Sequence, residues 1–423
     1  MRKALIGFIL LVVVGVAFVP AFSASKKVVV DTMAYGDNSN PEGVNWVRIV
    51  NAFEKANPDI KIQYEMLYDE AYHQKVTARL ASGNVPDLAY MGADARWGTP
   101  WKEAKQQFDH KKYIDKNMFD LSLIPSMGPR GEIYEIPLGT SNLTTTLYMN
   151  EKLVKELGFS TPKTYADIVK MVPAAKAKGL TVVSIDGADG WAWGSCLMST
   201  IVARMSGDLN FVSKAVAGKK KFTDPDFVAS LAMLETMVKD GVIDAKSVTV
   251  DYGTNMSNYG NGKALFMVQG QWAAGSINKK VQDTTRLMAW PAFPGEKKGA
   301  AGSVAAAIQV GYGLTKKGGS NKDVREAALK FLNYFYSVPE TTERLKTGAI
   351  VAPILKNFKV PASLPQVIKD KVTVATTAKN SDVIDAYLTG AANDALNSGM
   401  QKIVSGKATP AQIAAEVEKL ARK

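Results

Sequence analysis

Strand-like and helix-like patterns alternate from residue 28 to residue 91, and this alternation constrains the fold more than any other feature of the sequence. Apolar residues alternate or run together in three strand-like stretches, of which "IKIQYEML" is the second and "LAYM" the third. Between them, apolar residues recur at helical spacing from Trp46 to Ala56 and from Tyr72 to Leu80. Strand, helix, strand, helix, strand predicts a parallel sheet with helices on its faces, which is the α/β class.

The pattern restarts after residue 160 with different segments. "TYADIVKMVPAAKAKGL" predicts a helix that begins with a capping box at Thr164 and Asp167, and "TVVSI" and "KALFMVQGQW" predict further strands. A chain of 423 residues can bury a large core. We therefore expect two lobes rather than one.

The first 25 residues have the pattern of a secretory signal peptide. Arg2 and Lys3 precede an apolar run that ends at Pro20, and small residues follow. The run is short for a membrane-spanning helix. The one cysteine, Cys196, lies far from the cleavage region, so neither a disulfide nor a lipid anchor is expected. These features predict a soluble protein in the periplasm.

The net charge does not by itself identify a partner. The formal charge is +12, but the lysines are dispersed in groups such as Lys219–Lys221 and Lys297–Lys298, which are typical of solvated loop tips. An exported protein rarely meets nucleic acid, so we expect no nucleic-acid partner. Attraction to an anionic membrane face or an anionic solute stays open.

Long segments of the chain resemble one protein family. They include "NPDIKIQYEMLYDEAYHQKVTARLASGNVPDLAYM", "EIYEIPLGTSNLTTTLYMNEKLVKELGFSTPKTYADIVKM" and "KALFMVQGQW", followed by "FPGEKKGAAGSVAAAIQVGYGLTKKGGSNKDVREAALKFLNYFYSVPE". In this order they resemble the family-one extracellular solute-binding proteins, which include the maltose-binding proteins. Members of that family are the sugar-capturing components of ABC importers.

The resemblance implies an α/β fold of two lobes, the periplasmic binding protein or Venus flytrap fold, with three hinge crossings. We place the crossings near Leu138–Ser141, Pro291–Gly295 and Val338–Thr341. The predicted lobes are then residues 26–139 with 295–338, and residues 140–294 with 339–423.

The loop after the third strand is the first candidate binding site. In open parallel sheets, ligands bind beyond the carboxyl ends of the strands. Sugars present hydroxyls, which pair with carboxylates and guanidinium groups, and apolar faces, which lie on aromatic rings. Asp94, Arg96 and Trp97 supply these partners. The alternative is a surface ion pair beside a tryptophan that covers the edge of the sheet.

The resemblance implies further binding residues. Trp272 in "QGQW" corresponds to the stacking tryptophan of the second lobe. Trp191 and Trp193 match a loop that contributes an aromatic residue in relatives, and we expect one to bind and the other to pack. The remaining positions, for which turn capping is the alternative role of each polar residue, are Tyr35, Asp37, Asn38, Thr140, Ser141, Asn142, Tyr387 and Asn393.

These observations predict a periplasmic substrate-binding component of an ABC sugar importer. It would capture a mono- or oligosaccharide by lobe closure, as a monomer, and deliver it to a membrane permease. No cofactor or metal is expected, because His73 and His110 are the only histidines and form no metal-binding pattern. Arg96 and the positive net charge slightly favour an acidic ligand. The alternative is an exported carbohydrate-active hydrolase that uses a carboxylate pair.

Overall fold

The computed structural model describes residues 27–350 and 353–422, so the predicted signal peptide, residues 1–25, lies outside the described residues. Within that part of the chain, no helix is both long and apolar enough to cross a membrane. The strands are β1 (Val28–Tyr35), β2 (Ile60–Leu67), β3 (Leu88–Met91), β4 (Ile136–Pro137), β5 (Asn142–Leu143), β6 (Thr146–Asn150), β7 (Thr181–Ser184), β8 (Ala264–Gln269), β9 (Thr285–Met288), β10 (Val304–Ala307), β11 (Gly311–Leu314) and β12 (Asn380–Ser381).

Helices connect most of these strands. They are α1 (Pro41–Ala56), α2 (Asp69–Ala81), α3 (Ala95–Glu103), α4 (Glu151–Glu156), α5 (Tyr165–Ala177), α6 (Ser199–Ser206), α7 (Phe211–Val216), α8 (Pro225–Lys239), α9 (Tyr252–Gly260), α10 (Lys279–Gln282), α11 (Lys316–Ser320), α12 (Lys322–Phe335), α13 (Val338–Lys346), α14 (Gln366–Thr377), α15 (Ile384–Tyr387), α16 (Gly390–Val404) and α17 (Pro410–Ala421). A π-helical turn, Trp193–Met198, precedes α6.

The first sheet has the strand order β2-β1-β3-β11-β4. Strands β1, β2 and β3 are parallel, and β11 returns from late in the chain to pair antiparallel with β3. Helix α1 begins where Asn40 accepts a hydrogen bond from the Gly43 amide, and it buries Trp46, Ile49 and Phe53. The predicted alternation of strands and helices is confirmed here.

The second sheet has the order β7-β8-β6-β9. Strand β8 is buried along its whole length, as expected for a strand with helices on both faces. Helix α5 has the predicted capping box, with Thr164 and Asp167 bonded reciprocally. Each of these two sheets therefore packs against its own helices, and the chain forms two α/β lobes.

A small third sheet, β12-β10-β5, connects the two larger ones. Along the chain, β5 follows β4 of the first sheet and precedes β6 of the second. Strand β10 follows β9 of the second sheet and precedes β11 of the first. Strand β12 precedes α15 and α16, whose Ile384 and Leu396 are buried in the core beneath the second sheet. The chain thus changes between the larger sheets at β5 and at β10, and again between α13, which packs against α1, and α14, which packs against β9.

Two of the predicted crossings differ from this path. Residues Val338–Thr341 lie in α13, which packs against α1 and α12, and the bridge from Ala292 to Thr164 keeps residue 292 beside α5. Apolar spacing identifies a helix but not the sheet on which it packs, so the positions of these crossings along the chain stay predictions. We propose lobe boundaries at β5, at β10 and between α13 and α14 in place of the divisions at 294/295 and 338/339, because Asp370 of α14 accepts a hydrogen bond from the Leu287 amide of β9.

Candidate functional site

A cavity of about 170 Å³ lies between the two larger sheets, and residues from both line it. Seven of the residues expected from the sequence lie on its wall, which makes it the candidate site. We call it the central cavity. Its expected residues are Tyr35, Asp94, Arg96, Trp97, Asn142, Trp191 and Trp272.

Strand ends position the first wall. Strand β1 ends at Tyr35, and β3 leads through a short loop to Asp94, whose carboxylate accepts a hydrogen bond from the Trp97 amide at 2.8 Å and so begins α3. The Tyr35 ring stacks on Tyr90 at 4.8 Å and meets the Trp97 ring edge-on at 5.3 Å. His73 packs on Trp97 from another side, with ring centroids 4.3 Å apart. Neighbouring rings therefore fix the orientation of the Trp97 indole.

The second wall carries two tryptophans. The rings of Trp191 and Trp272 lie 5.9 Å apart at 47°. Strand β8 ends at Gln269, and the Trp272 ring folds back over Gly270. A Cβ atom at Gly270 would lie 2.1 Å from the ring, so only glycine permits this orientation. The "QGQW" motif thus presents an indole to the cavity rather than to the core.

The charged side chains of the central cavity are mostly acidic. Four carboxylates line it, and Arg96 is the one cation among the lining residues of the described chain. The Arg96 guanidinium is already engaged, because it donates to Glu70 at 2.6 Å, to Asp385 at 3.3 Å and to the His73 ring at 3.3 Å. The four lining carboxylates are Glu42, Asp69, Asp94 and Asp385.

Burial shifts the pKa of several of these groups. It raises the pKa of Asp94 to about 7, against the opposing hydrogen bond from the Trp97 amide, and it raises the pKa of Glu42 to about 7. Burial lowers the pKa of His73 to about 4, and the nearby Arg96 charge adds to that effect. Near neutral pH, Asp94 and Glu42 can therefore accept or donate hydrogen bonds, and His73 is uncharged.

Three lining side chains have buried polar atoms without a hydrogen-bond partner among the described residues. They are the indole Nε1 of Trp191 and the amide oxygens of Gln271 and Gln309. A buried polar group without a partner costs about 1–3 kcal/mol. A ligand that presents both donors and acceptors would satisfy these atoms, as a polyhydroxylated molecule does.

The remaining expected residues lie outside the central cavity. Of Trp191 and Trp193, of which one was expected to pack, Trp193 is fully buried in the second core and donates to the Gly187 carbonyl oxygen at 2.9 Å. Asp37 accepts from the Ser39 amide at 2.7 Å, which is the turn-capping role. Tyr387 lines an adjoining cavity. The others that do not line the central cavity are Asn38, Thr140, Ser141 and Asn393.

Several lining residues were missed. Tyr68 and Asp69 follow β2, so the rule of strand carboxyl ends could have identified them. Asp69 also has φ of 52°, uncommon for a residue other than glycine. Glu42 and Gln309 come from the start of α1 and the link between β10 and β11, and no local pattern marks them.

The described residues contain no metal-binding cluster, and their one cysteine is buried. No group of three or more His, Cys, Asp or Glu side chains among them could hold a metal ion. Cys196 is buried, and burial raises the pKa of its thiol well above the usual range. A thiol in this state is a poor nucleophile.

Comparisons with known proteins agree with this geometry. The sequence profile of the family described as "Bacterial extracellular solute-binding protein" matches residues 36–341. A curated relative, the "Multiple sugar-binding protein" of Streptococcus mutans, is 26% identical over 72% of this chain and 70% of its own length.

Solved structures share the fold. A "Chitin oligosaccharide binding protein" superposes with a TM-score of 0.78 at 21% identity, over 92% of this chain and 98% of that one. The maltose-bound MalE3 of T. maritima superposes with a TM-score of 0.76 at 19% identity, over 93% and 99% of the two chains. At these identities the likeness shows a common fold.

Proposed function

The chain belongs to the family of bacterial extracellular solute-binding proteins, and from this premise we propose that it captures a carbohydrate for an ABC importer. One observation carries the proposal. Aromatic rings on opposite walls of the central cavity, Trp97 with Tyr35 and Trp272 with Trp191, stand among carboxylates and unsatisfied indole and amide groups. A sugar ring matches both kinds of surface, because its C–H faces lie on indoles and its hydroxyls fill the polar positions.

Lobe closure would couple binding to recognition by the permease. The ion pair between Arg96 and Asp385 joins α3 to α15, so it bridges the two walls beside the ligand position. A ligand that contacts both walls favours the closed state by its greater affinity for that state. The closed protein would then dock on permease subunits as a monomer.

The charges of the cavity favour an uncharged sugar. Arg96 is neutralised by Asp385 and Glu70, whereas Asp94 and Glu42 have no cation of the described residues within ion-pair distance. An acidic sugar would place its carboxylate among these groups, and like charges repel it to the extent that Asp94 and Glu42 are ionised, which increases as the pH rises through about 7. The charges of the cavity therefore favour the opposite of the acidic ligand that Arg96 and the net charge suggest in the sequence.

We place the mature protein in the periplasm, released by cleavage of residues 1–25. The lone Cys196 is buried within the π-helical turn, which supports a product without a lipid anchor.

We also propose that the protein is not a hydrolase. Asp94 caps α3 and Asp385 pairs with Arg96, so each carboxylate has a structural role that needs no reaction.

A sugar panel tests this function. The purified protein is incubated with neutral sugars and with their acidic counterparts, for example glucose with glucuronic acid and galactose with galacturonic acid. We expect a neutral sugar to raise the melting temperature without change to the sugar, because it binds the native state alone. Oligosaccharides are incubated with the protein in parallel, and release of reducing ends from them would support the hydrolase instead. Stabilisation by acidic sugars only would overturn the charge argument.

A further inference from the structure

Gln309 lies where the crossings between the lobes meet. The first crossing, residues 138–141, joins β4 to β5, and the second, residues 308–310, joins β10 to β11 and contains Gln309. The third begins where α13 ends. The Gln309 backbone amide donates a hydrogen bond to the Gly139 carbonyl oxygen of the first crossing at 3.3 Å. Its side-chain Nε2 donates to the Ala349 carbonyl oxygen of the third crossing at 3.1 Å. One residue thus links these three connections.

Gln309 also lines the central cavity. It is 5% exposed, and its Oε1 is buried without a hydrogen-bond partner among the described residues. The carboxamide is planar, so a donor that fixes Oε1 also fixes the direction of the bond from Nε2 to Ala349. Hydrogen bonds in a chain polarise one another, so a bond accepted at Oε1 makes Nε2 a better donor. A ligand hydroxyl at Oε1 would therefore strengthen the bond to the third crossing.

The third crossing is held at two consecutive carbonyl groups. Lys371 on α14 donates to the Gly348 carbonyl oxygen at 2.6 Å, and Gln309 holds the carbonyl group that follows. Gly348 has φ of 83°, and the Ala349 amide bonds back to the Arg344 carbonyl oxygen at 2.9 Å, so this segment is a tight turn at the end of α13. Of the two supports, Gln309 is the one that lines the cavity, so a ligand can change its strength.

Gln271 provides a matched comparison within the same cavity. It lines the central cavity, and its Oε1 is likewise buried without a partner among the described residues. Its Nε2 donates to the Asn142 side chain at 3.2 Å, whereas the Nε2 of Gln309 donates to the third crossing. The two glutamines therefore offer a ligand the same unpaired group but hold different segments of the chain.

We propose that Gln309 is a positioning residue through which a bound sugar fixes the third crossing in the closed arrangement of the lobes. This inference rests on the proposed function. A sugar hydroxyl donates to Gln309 Oε1, and the same carboxamide then holds the Ala349 carbonyl group more firmly. The sugar has greater affinity for the arrangement in which that bond is intact, so it shifts the protein toward that arrangement.

Hydrogen–deuterium exchange of the third crossing tests this role. Calorimetry first identifies which of glucose, galactose, maltose, raffinose and chitobiose bind the protein. Exchange is then followed in the peptide that contains residues 347–350, with and without a saturating concentration of a sugar that binds. In the wild type, we expect the sugar to slow this exchange roughly threefold to tenfold, which is the effect of about one hydrogen bond.

Two variants separate the third crossing from sugar contact in general. Gln309→Met keeps a side chain of similar length but forms neither bond, so most of the slowing at residues 347–350 should be lost even when sugar saturates the variant. Gln271→Met should weaken sugar affinity but retain the slowing at saturation, because the bond from Gln309 to Ala349 is intact. Melting curves show whether each variant is folded.

The outcomes distinguish this inference from the proposed function. Sugar binding without slower exchange at residues 347–350 of the wild type would overturn the role of Gln309 while sugar capture stands, and this comparison needs no variant. Slowing that survives in Gln309→Met, or that is lost equally in Gln271→Met, would overturn it as well. Binding of none of the sugars would overturn both proposals.

Discussion

At the scale of single residues, the cavity depends on a few aromatic rings held by their neighbours. Trp97 is surrounded by Tyr35, Tyr90 and His73, and Trp272 lies over Gly270. These supports place rigid apolar surfaces on opposite walls before any ligand arrives. Rigid aromatic side chains lose little entropy on binding, so most of their contact energy is available for affinity.

Trp272 provides the most direct residue-scale prediction. Trp272→Ala should weaken sugar affinity at least tenfold, because it removes one of the two ring surfaces of the second wall. Trp272→Phe should restore part of that affinity, because it restores a stacking surface. Calorimetry measures both, and melting temperatures serve as the control for folding. An alanine variant with wild-type affinity would remove Trp272 from the site.

The sequence identified the rings of this site better than its polar groups. Trp97, Trp191 and Trp272 lie on the central cavity as expected, because each is near a strand end or in a motif carried over from relatives. Glu42 and Gln309 could not be found in this way. They reach the cavity through contacts between distant parts of the chain, and no local pattern encodes such contacts.

At the scale of elements, His110 attaches the segment after α3 to strand β11. Its ring nitrogen Nε2 accepts a hydrogen bond from the Leu314 amide at 2.8 Å, which requires an unprotonated nitrogen. Burial lowers the pKa of His110 to about 4. Protonation of this histidine would therefore weaken the attachment of this segment to β11, an inner strand of the first sheet.

The pH dependence of stability tests this role. An unfolded histidine has a pKa of about 6.5. From there down to about pH 4 the unfolded state binds more protons than the folded state, so this contribution to stability falls as the pH falls. We expect a loss of about 1 kcal/mol per pH unit below pH 6 from this group. His110→Gln keeps an acceptor but cannot titrate, so its unfolding free energy should fall less between pH 7 and pH 5. Equal losses in both proteins would contradict this role.

Sequence patterns predicted the helices and strands well, but they predicted less well which strands pair with one another. The capping box at Thr164 and the buried face of α1 follow from local chemistry, and both are present. No periodic pattern marks strands β10 and β12 of the small third sheet. These strands have four and two residues, too few for a periodic pattern, and they pair only with segments far along the chain.

At the scale of the whole molecule, one ion pair connects the two walls of the cleft. Arg96 on α3 and Asp385 on α15 have side chains that are 24% and 15% exposed, so water screens their interaction only in part. The pair is present when the walls are together, and opening the cleft would separate its partners. It should therefore slow ligand release by stabilising the closed state.

A double-mutant cycle tests this coupling. Arg96→Met and Asp385→Asn should each speed release of the bound sugar by roughly threefold to tenfold, which corresponds to about 1 kcal/mol. The double variant should be little faster than either single variant, because both remove the same interaction. Stopped-flow fluorescence measures the release rates. If the single effects multiplied in the double variant, the two residues would act independently and the pair would not hold the walls together.

The most direct measurement of the central claim is a crystal structure of the protein with its tightest-binding neutral oligosaccharide. The account predicts one sugar ring between Trp272 and Trp97, in contact with both walls of the cleft. A sugar bound elsewhere, or bound to one wall only with the cleft open, would contradict it.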